Sequence, residues 1–430
     1  MMKKSSLDFY RNHVNQVLLP FWERALDERN GGVYTCFNNA GTERISTDKY
    51  TWSQGRFVWI WSRLARLRMD GLMQGEAEPL LAQAGKTARF LRERAFLENG
   101  HAAFLLTEDG KPKESFPGAG YDSSFYADCF VVLGFTEYAR AAGDREMLGQ
   151  ALAVYDSILS RLDRGDVRSE PYPAPEGLCL HAYSMIMLNV SQELAEVLRA
   201  FRHGRAEEVE RRAVGYMDKI LDRFVMADGT LLEMVDEHGV RGRKEKLLCR
   251  YVNPGHAIEC MWFVMKTAEF NGRADALDQA CAVVRRAFEL GWDPVYGGLL
   301  RFVDYGGGEP EGDLIGDGNE DLILGSWDTK LWWPHSEALY SAVLAYDFSG
   351  DDRILDWYER VFEYAFSVFP NPDAKVGEWI QIRDRQGRPL EKVVALPVKD
   401  PYHVLRNMLL IIERLSERDC KIKLETKGVR

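Results

Sequence analysis

Six stretches of this chain read as helices that are apolar nearly all round. They begin near Thr51, Asp122, His181, Pro254, Pro334 and Asp400. Such a helix must lie inside a protein, whereas an amphipathic helix can cover one. Amphipathic stretches precede them, such as FYRNHVNQVLLPFWERAL from Phe9 and ADALDQACAVVRRAFELGW from Ala274. The alternation recurs about every 70 residues, a long repeat built from one supersecondary unit. With 46% hydrophobic residues, 430 residues suffice for one large core.

Between the members of each pair lies a short alternating segment that ends in turn residues. Five copies stand out: GGVYTCFNNAG from Gly31, HAAFLLTEDG from His101, GTLLEMVDEHG from Gly229, GGLLRFVDYGG from Gly297 and GEWIQIRDRQG from Gly377. Each reads as a β-hairpin. The Pro-rich VRSEPYPAPEG from Val167 reads as a degenerate sixth copy. Six outer–inner helix pairs predict an all-α (α/α)6 barrel with hairpins at the active-site end. An open solenoid of helical hairpins is the alternative, but the inner helices are too apolar for it. No Ser-, Gly- or charge-rich linker divides the chain. One domain is expected over residues 1–420, followed by a tail over 421–430.

This arrangement sends every loop segment, and the N-terminus of every inner helix, to one end of the barrel. A cleft there is lined by first-turn residues. Those are Trp52 and Arg56, then Asp122 and Tyr126, then His181, then His256 and Glu259. The last two windows supply Lys330, Trp333, His335 and Glu337, and finally His403 and Arg406. Four of the chain's eight histidines fall in these windows.

Two windows match. In NPGHAIE, Asn253 reads as the cap, Pro254 as the first helical residue and His256 as the third. In DPYHVLR, Asp400, Pro401 and His403 read the same way. Each histidine has a charged residue three positions on, Glu259 or Arg406, on the same helix face. A helix N-terminus disfavours imidazolium, and an adjacent arginine adds to that. An adjacent carboxylate opposes it. Two imidazoles in similar frames with opposite partners is how a site separates an acid from a base. The bland reading of any single one is a half-solvated polar residue. Arg56, in an aromatic helix, needs an oxygen-rich ligand or a structural carboxylate, and we expect the ligand. Trp52 and Trp333 are core residues or stacking faces for a sugar ring.

Other chemistries find no support. A net charge of −11 argues against nucleic acid and anionic membranes. Seven cysteines, an odd count with no C-x-x-C pair, fit reduced thiols. MMKKSSLDFYRN lacks the apolar stretch of a signal peptide, so a cytoplasmic location is expected. There is no phosphate-binding loop, dinucleotide fingerprint or nucleophile elbow. DGNEDLILG from Asp317 departs from a calcium loop at Leu322 and reads as a solvated loop. HxxE and HxxR are not zinc spacings with a third ligand, so no metal is expected.

Four stretches, DKYTWSQGRFVW, NPGHAIE, KLWWPHSEAL and YHVLR, resemble the signatures of the N-acylglucosamine 2-epimerase family, in order, from about residue 30 to residue 410. The resemblance implies an (α/α)6 barrel, no cofactor, room for a nucleotide effector, and a homodimer. It assigns the catalytic pair to His256 and His403, the family's glutamate to Glu259, and its two arginines to Arg56 and Arg406. His181, Trp333, Trp52, Lys330 and Asp122 are expected to bind substrate with Glu259 and Arg406. The implied reaction is C2 epimerisation of a free sugar, interconverting N-acetylglucosamine and N-acetylmannosamine through an enediolate. In that scheme Arg56 stabilises the oxyanion at O1. Leu405, where the family usually has Pro, together with ALPVKD and His181, points to the alternative of a mannose–fructose type aldose–ketose isomerase. Two rivals from other classes are a glycoside hydrolase, which needs two carboxylates across the scissile bond, and a non-enzymic binding protein. Neither uses two matched histidines.

Overall fold

In the computed structural model, residues 5–236, 245–394 and 396–428 are described, with the side chains of 5, 6 and 419–428 excepted. In chain order the first helices are α1 (Ser5–His13), a π turn (Val14–Leu18), α2 (Leu19–Glu23), α3 (Thr51–Met69), α4 (Glu78–Arg94), α5 (Tyr126–Ala142) and α6 (Arg145–Asp163). Then come α7 (His181–Ala200), α8 (Ala206–Arg223), a short α9 (Leu247–Arg250), α10 (Pro254–Asn271) and α11 (Ala274–Gly291). A short α12 (Gly318–Leu324), α13 (Trp332–Ser349), α14 (Asp352–Val368) and α15 (Tyr402–Gly428) complete the series. The strands are two or three residues long: β1 (Lys49–Tyr50), β2 (Leu105–Leu106), β3 (Pro112–Lys113), β4 (Leu178–Leu180), β5 (Met234–Asp236), β6 (Tyr251–Val252), β7 (Val303–Asp304), β8 (Lys330–Leu331) and β9 (Ile382–Arg383).

The helices alternate in burial as the pattern predicts. In α13 every residue from Pro334 to Ala345 is buried. In α14 only Ile354, Tyr358, Val361 and Ala365 are, one stripe at helical spacing.

The chain folds into two compact units. One comprises residues 1–166, 371–379 and 398–430. There α3 packs on α5 through paired glycines. A Cβ on Gly55 would lie 2.4 Å from the Phe130 carbonyl oxygen, and one on Gly134 would lie 2.5 Å from that of Gly55. The other unit comprises residues 167–370 and 380–397. Within it α7 packs on α8, and α10 on both α11 and α13.

Loop segments close as short hairpins, with Leu105 pairing Lys113, Phe37 bridging Arg44 and Arg383 bridging Pro389. Four of them also pair with the residues that lead into the preceding inner helix. Tyr50 faces Leu105, Leu180 faces Met234, Val252 faces Val303 and Leu331 faces Ile382, all antiparallel. The first amide of the inner helix then bonds to the same strand: Thr51 to the Phe104 carbonyl, His181 to that of Glu233 and Trp332 to that of Gln381, each at 3.0 Å. Such a bond satisfies one of the four amides that a helix start leaves open. Pro254 has no amide, and there the Asn253 side chain caps α10. The turn expected at the end of GTLLEMVDEHG, residues 237–239, lies outside the described residues.

Two helix starts differ from expectation. Helix α5 begins at Tyr126 because the Asp122 carboxylate accepts from Asn99 and His101 and caps nothing. Helix α15 begins at Tyr402, so His403 is its second residue. Asp400 accepts from the Tyr402 amide at 2.8 Å and pairs with Arg56. The expected loop at Asp317 is the capped start of α12, with Asp317 and Glu320 forming a reciprocal capping box. Among the described residues, Cys36, Cys129, Cys179, Cys249, Cys260 and Cys281 are free thiols. No described helix is long and apolar enough to cross a membrane.

Candidate active site

In the second unit, the inner-helix starts gather three titratable side chains. Asn253 caps α10 by accepting from the His256 amide at 3.2 Å, with Pro254 as first helical residue, so His256 holds the third position as predicted. Its Nδ1 faces Glu233 Oε2 at 3.0 Å. The ring is one-third exposed (33%), and its Nε2 has no partner among the described residues. His181, first residue of α7, is fully buried, with Nδ1 3.6 Å from Glu233 Oε1. That is too long for a hydrogen bond. Glu233 therefore stands between two imidazoles whose ring centres are 6.2 Å apart.

The electrostatics follow from that placement. Burial alone would push the Glu233 carboxyl up, but the charges on His256 and then His181 hold it down at about 2. Burial would lower the His256 pKa. Glu233 overrides this and raises it, with Glu259 adding a smaller push and Arg301 a pull. The expected partner, Glu259, is thus the lesser one, and Glu233 is the residue that the sequence reading missed. Its signal was a carboxylate inside the apolar run TLLEMV.

Trp333 lies with its ring centre 5.2 Å from that of His256. Gly255 makes this possible, since a Cβ there would come within 2.7 Å of the indole. Glu337 is buried and accepts from Trp262 Nε1 at 2.7 Å. His335 is structural: Nδ1–H donates to the Leu331 carbonyl at 2.6 Å and Nε2 accepts from the Leu299 amide at 2.8 Å. Lys330 does not serve as a free cation for substrate. Its ammonium is fully buried against Asp293 at 3.1 Å and donates to the carbonyls of Gly297 and Arg385. All three of its donors are spent.

In the first unit, Arg56 pairs with the buried Asp400. The expectation that Arg56 avoids a structural carboxylate does not hold: one oxygen of Asp400 accepts from the Tyr402 amide at the start of α15, and the other meets Arg56. The guanidinium lies over Phe130 at 4.0 Å, Trp52 at 4.8 Å and Tyr402 at 5.1 Å. Burial would raise the Asp400 carboxyl; Arg56 and then His403 hold it below its usual range. His403 is partly exposed, with Nδ1 3.4 Å from Arg406 Nη2, so the predicted pairing along α15 is present. Trp52 is partly exposed beside Tyr126 and Phe104. Asp122 is set apart from this group by its bonds to His101 (2.8 Å) and Asn99 (3.0 Å).

The sequence matches the N-acylglucosamine 2-epimerase (GlcNAc 2-epimerase) family over residues 32–407. The chain belongs to this family. It is 30% identical to N-acylglucosamine 2-epimerase of Homo sapiens, over 96% of this chain and 92% of the human one. The Bos taurus protein of the same name is also 30% identical, over 93% of this chain and 89% of that one. The cellobiose 2-epimerase structure from Spirochaeta thermophila superposes with a TM-score of 0.75 at 18% identity, covering 97% of this chain and 99% of that one. The fold is accordingly the (α/α)6 barrel, and this member of the N-acylglucosamine 2-epimerase family is a carbohydrate epimerase, an enzyme of the isomerase class.

Proposed function

We propose that the protein interconverts N-acetylglucosamine and N-acetylmannosamine by moving the proton on C2. One observation carries this reading: Glu233 engages His256 Nδ1 and leaves Nε2 unpartnered on a partly exposed ring beside Trp333. An imidazole held that way is oriented for proton transfer at one nitrogen. The relatives named N-acylglucosamine 2-epimerase supply the substrate class.

In the proposed reaction the sugar opens to its aldehyde, which makes the C2 proton acidic. In one direction neutral His403, beside Arg406, takes that proton, and the C2–H electron pair moves into the enediolate. Protonated His256, favoured in that form by Glu233, returns a proton to C2 from the opposite face, and the ring closes on the epimer. In the other direction the two exchange roles, and neutral His256 takes the proton at Nε2. Arg56 acts through Asp400 on the α15 start that carries His403, while Glu259, Arg406, Trp52 and Trp333 contact substrate. No step calls for a metal or organic cofactor. By family resemblance the enzyme works as a cytoplasmic homodimer.

The test is proton NMR in heavy water with N-acetylmannosamine, mannose, glucose and cellobiose in parallel. Deuterium at C2 of the acetamido sugar, lost in His256→Ala and His403→Ala, supports the assignment. General acid–base groups contribute about 10²–10⁴-fold. Either folded variant keeping more than about a tenth of kcat would defeat the two-histidine scheme. Conversion of mannose to fructose without turnover of the acetamido sugar would establish the isomerase alternative instead.

A further inference from the structure

His181, Glu233 and His256 offer one ligand atom each, and the three atoms lie within 4.8 Å of one another. They come from three separate places: the start of α7, the residue just before β5 and the first turn of α10. Local spacing in the sequence could not reveal such a set. The set is also incomplete as it stands. Both nitrogens of the fully buried His181 and the Oε1 atom of Glu233 have no hydrogen-bond partner. Buried polar atoms left unpaired cost stability, so a group that satisfies them is favoured.

We infer that these three residues form a binding site for Zn2+ or a similar first-row divalent ion, and that the ion switches the enzyme off. Two imidazoles and a carboxylate are a donor set suited to zinc, with a fourth position open to water. Tetrahedral zinc with bonds of about 2.0–2.1 Å places its donors roughly 3.3 Å apart. The two carboxylate oxygens of Glu233 stand 3.0 Å from His256 Nδ1 and 3.6 Å from His181 Nδ1 respectively, and no two donors of the set are more than 4.8 Å apart. A small closure of the imidazoles completes the site.

The inhibitory effect follows from the tautomer and rests on the proton-transfer role proposed for His256. In the neutral catalytic form the ring proton is on Nδ1, facing Glu233, and Nε2 holds the lone pair that takes the C2 proton. Zinc binds the lone pair of Nδ1. The ring proton then moves to Nε2, no proton is lost from the ring, and the base has no free pair. Magnesium and calcium, which prefer oxygen donors, should not substitute.

The full-length protein is stripped with EDTA and titrated with Zn2+ by calorimetry, without sugar; Co2+ absorption reports coordination number. One ion per chain with tetrahedral cobalt bands is expected, with affinity about tenfold or more weaker in His181→Ala and in Glu233→Gln. His181→Gln replaces the alanine variant if that one fails to fold by circular dichroism. Epimerisation should fall in step with occupancy, return on adding EDTA, and ignore Mg2+. Absence of stoichiometric binding overturns the site, as does an affinity unchanged in both variants, which would place zinc elsewhere, such as on the cysteines. Full activity of the zinc-loaded enzyme overturns the switch. Calorimetry does not depend on the epimerase assignment, which C2 exchange in the metal-free enzyme tests alone.

Discussion

Glu233 grips two inner-helix starts at once: its backbone carbonyl accepts from the His181 amide at 3.0 Å, and its carboxylate reaches His256 Nδ1 at 3.0 Å. The residue that leads into β5 thereby fixes both the entry of α7 and the ring orientation on α10. Glu233→Gln keeps the backbone bond and an oxygen for Nδ1 but removes the charge. The expected result is a fall in kcat of about 10²-fold with KM little changed, since the lost interaction matters to proton transfer more than to sugar binding. Steady-state kinetics on the metal-free enzyme checks this; a raised KM at constant kcat would show that Glu233 contacts substrate instead.

Gly255 sets the distance between Trp333 and His256. Gly255→Ala puts a methyl 2.7 Å from the indole and 2.9 Å from Pro334 Cβ. Overpacking of this kind costs about 1–3 kcal/mol. We expect a lower Tm, altered tryptophan fluorescence and reduced turnover. Unchanged fluorescence together with normal kcat would mean that Trp333 moves aside at no cost.

Lys330 and Asp293 are a buried pair, joined by Arg385 at 3.0 Å. Removing one partner of such a pair typically costs about 3–5 kcal/mol. Lys330→Met should therefore lower the denaturation midpoint strongly, yet leave KM near wild type in whatever fraction folds. A stable Lys330→Met enzyme with a much raised KM would return Lys330 to the substrate.

His335 makes folding sensitive to acid. Burial outweighs its bond to the Leu331 carbonyl and lowers its pKa from an ordinary 6.5 to about 3. Below pH 6.5 the unfolded chain takes up a proton at this residue that the folded chain refuses. Stability is thus fully present above pH 6.5 and falls by about 1.4 kcal/mol per pH unit down to about pH 3. Against His335→Gln, which should be less stable at pH 7.5, the wild type should lose Tm more steeply between pH 6.5 and 4.5. Parallel curves would show that His335 is protonated in the fold.

Much of this architecture is legible in the chain. Helices apolar on all sides announce themselves, and NPGHAIE carries its own cap, first-position proline and third-position histidine. What escapes is whatever depends on distant partners. Asp122 looks like a cap but is claimed by His101, and Asp400 keeps its bond to the α15 start while its other oxygen takes Arg56. Lys330 looks available until Asp293 is seen beside it. Glu233 becomes visible only once β5 pairs with β4, because strands of two or three residues hold no register by themselves. The turn at Asp317 is the exception, since D-G-N-E spells its capping box in the sequence itself.

The strand pairing also constrains how relatives could be recombined. Because Leu180 pairs with Met234, Val252 with Val303 and Leu331 with Ile382, the starts of α7, α10 and α13 are each clasped by chain belonging to the following repeat. A chimera joined inside α8, α11 or α14 would separate the two halves of a clasp and misplace a side chain at the helix start upstream of the splice. Crossovers placed after β5 and before β6, or after β7 and before β8, move each clasp as a whole, so those connections and not the amphipathic helices are the natural seams of the molecule.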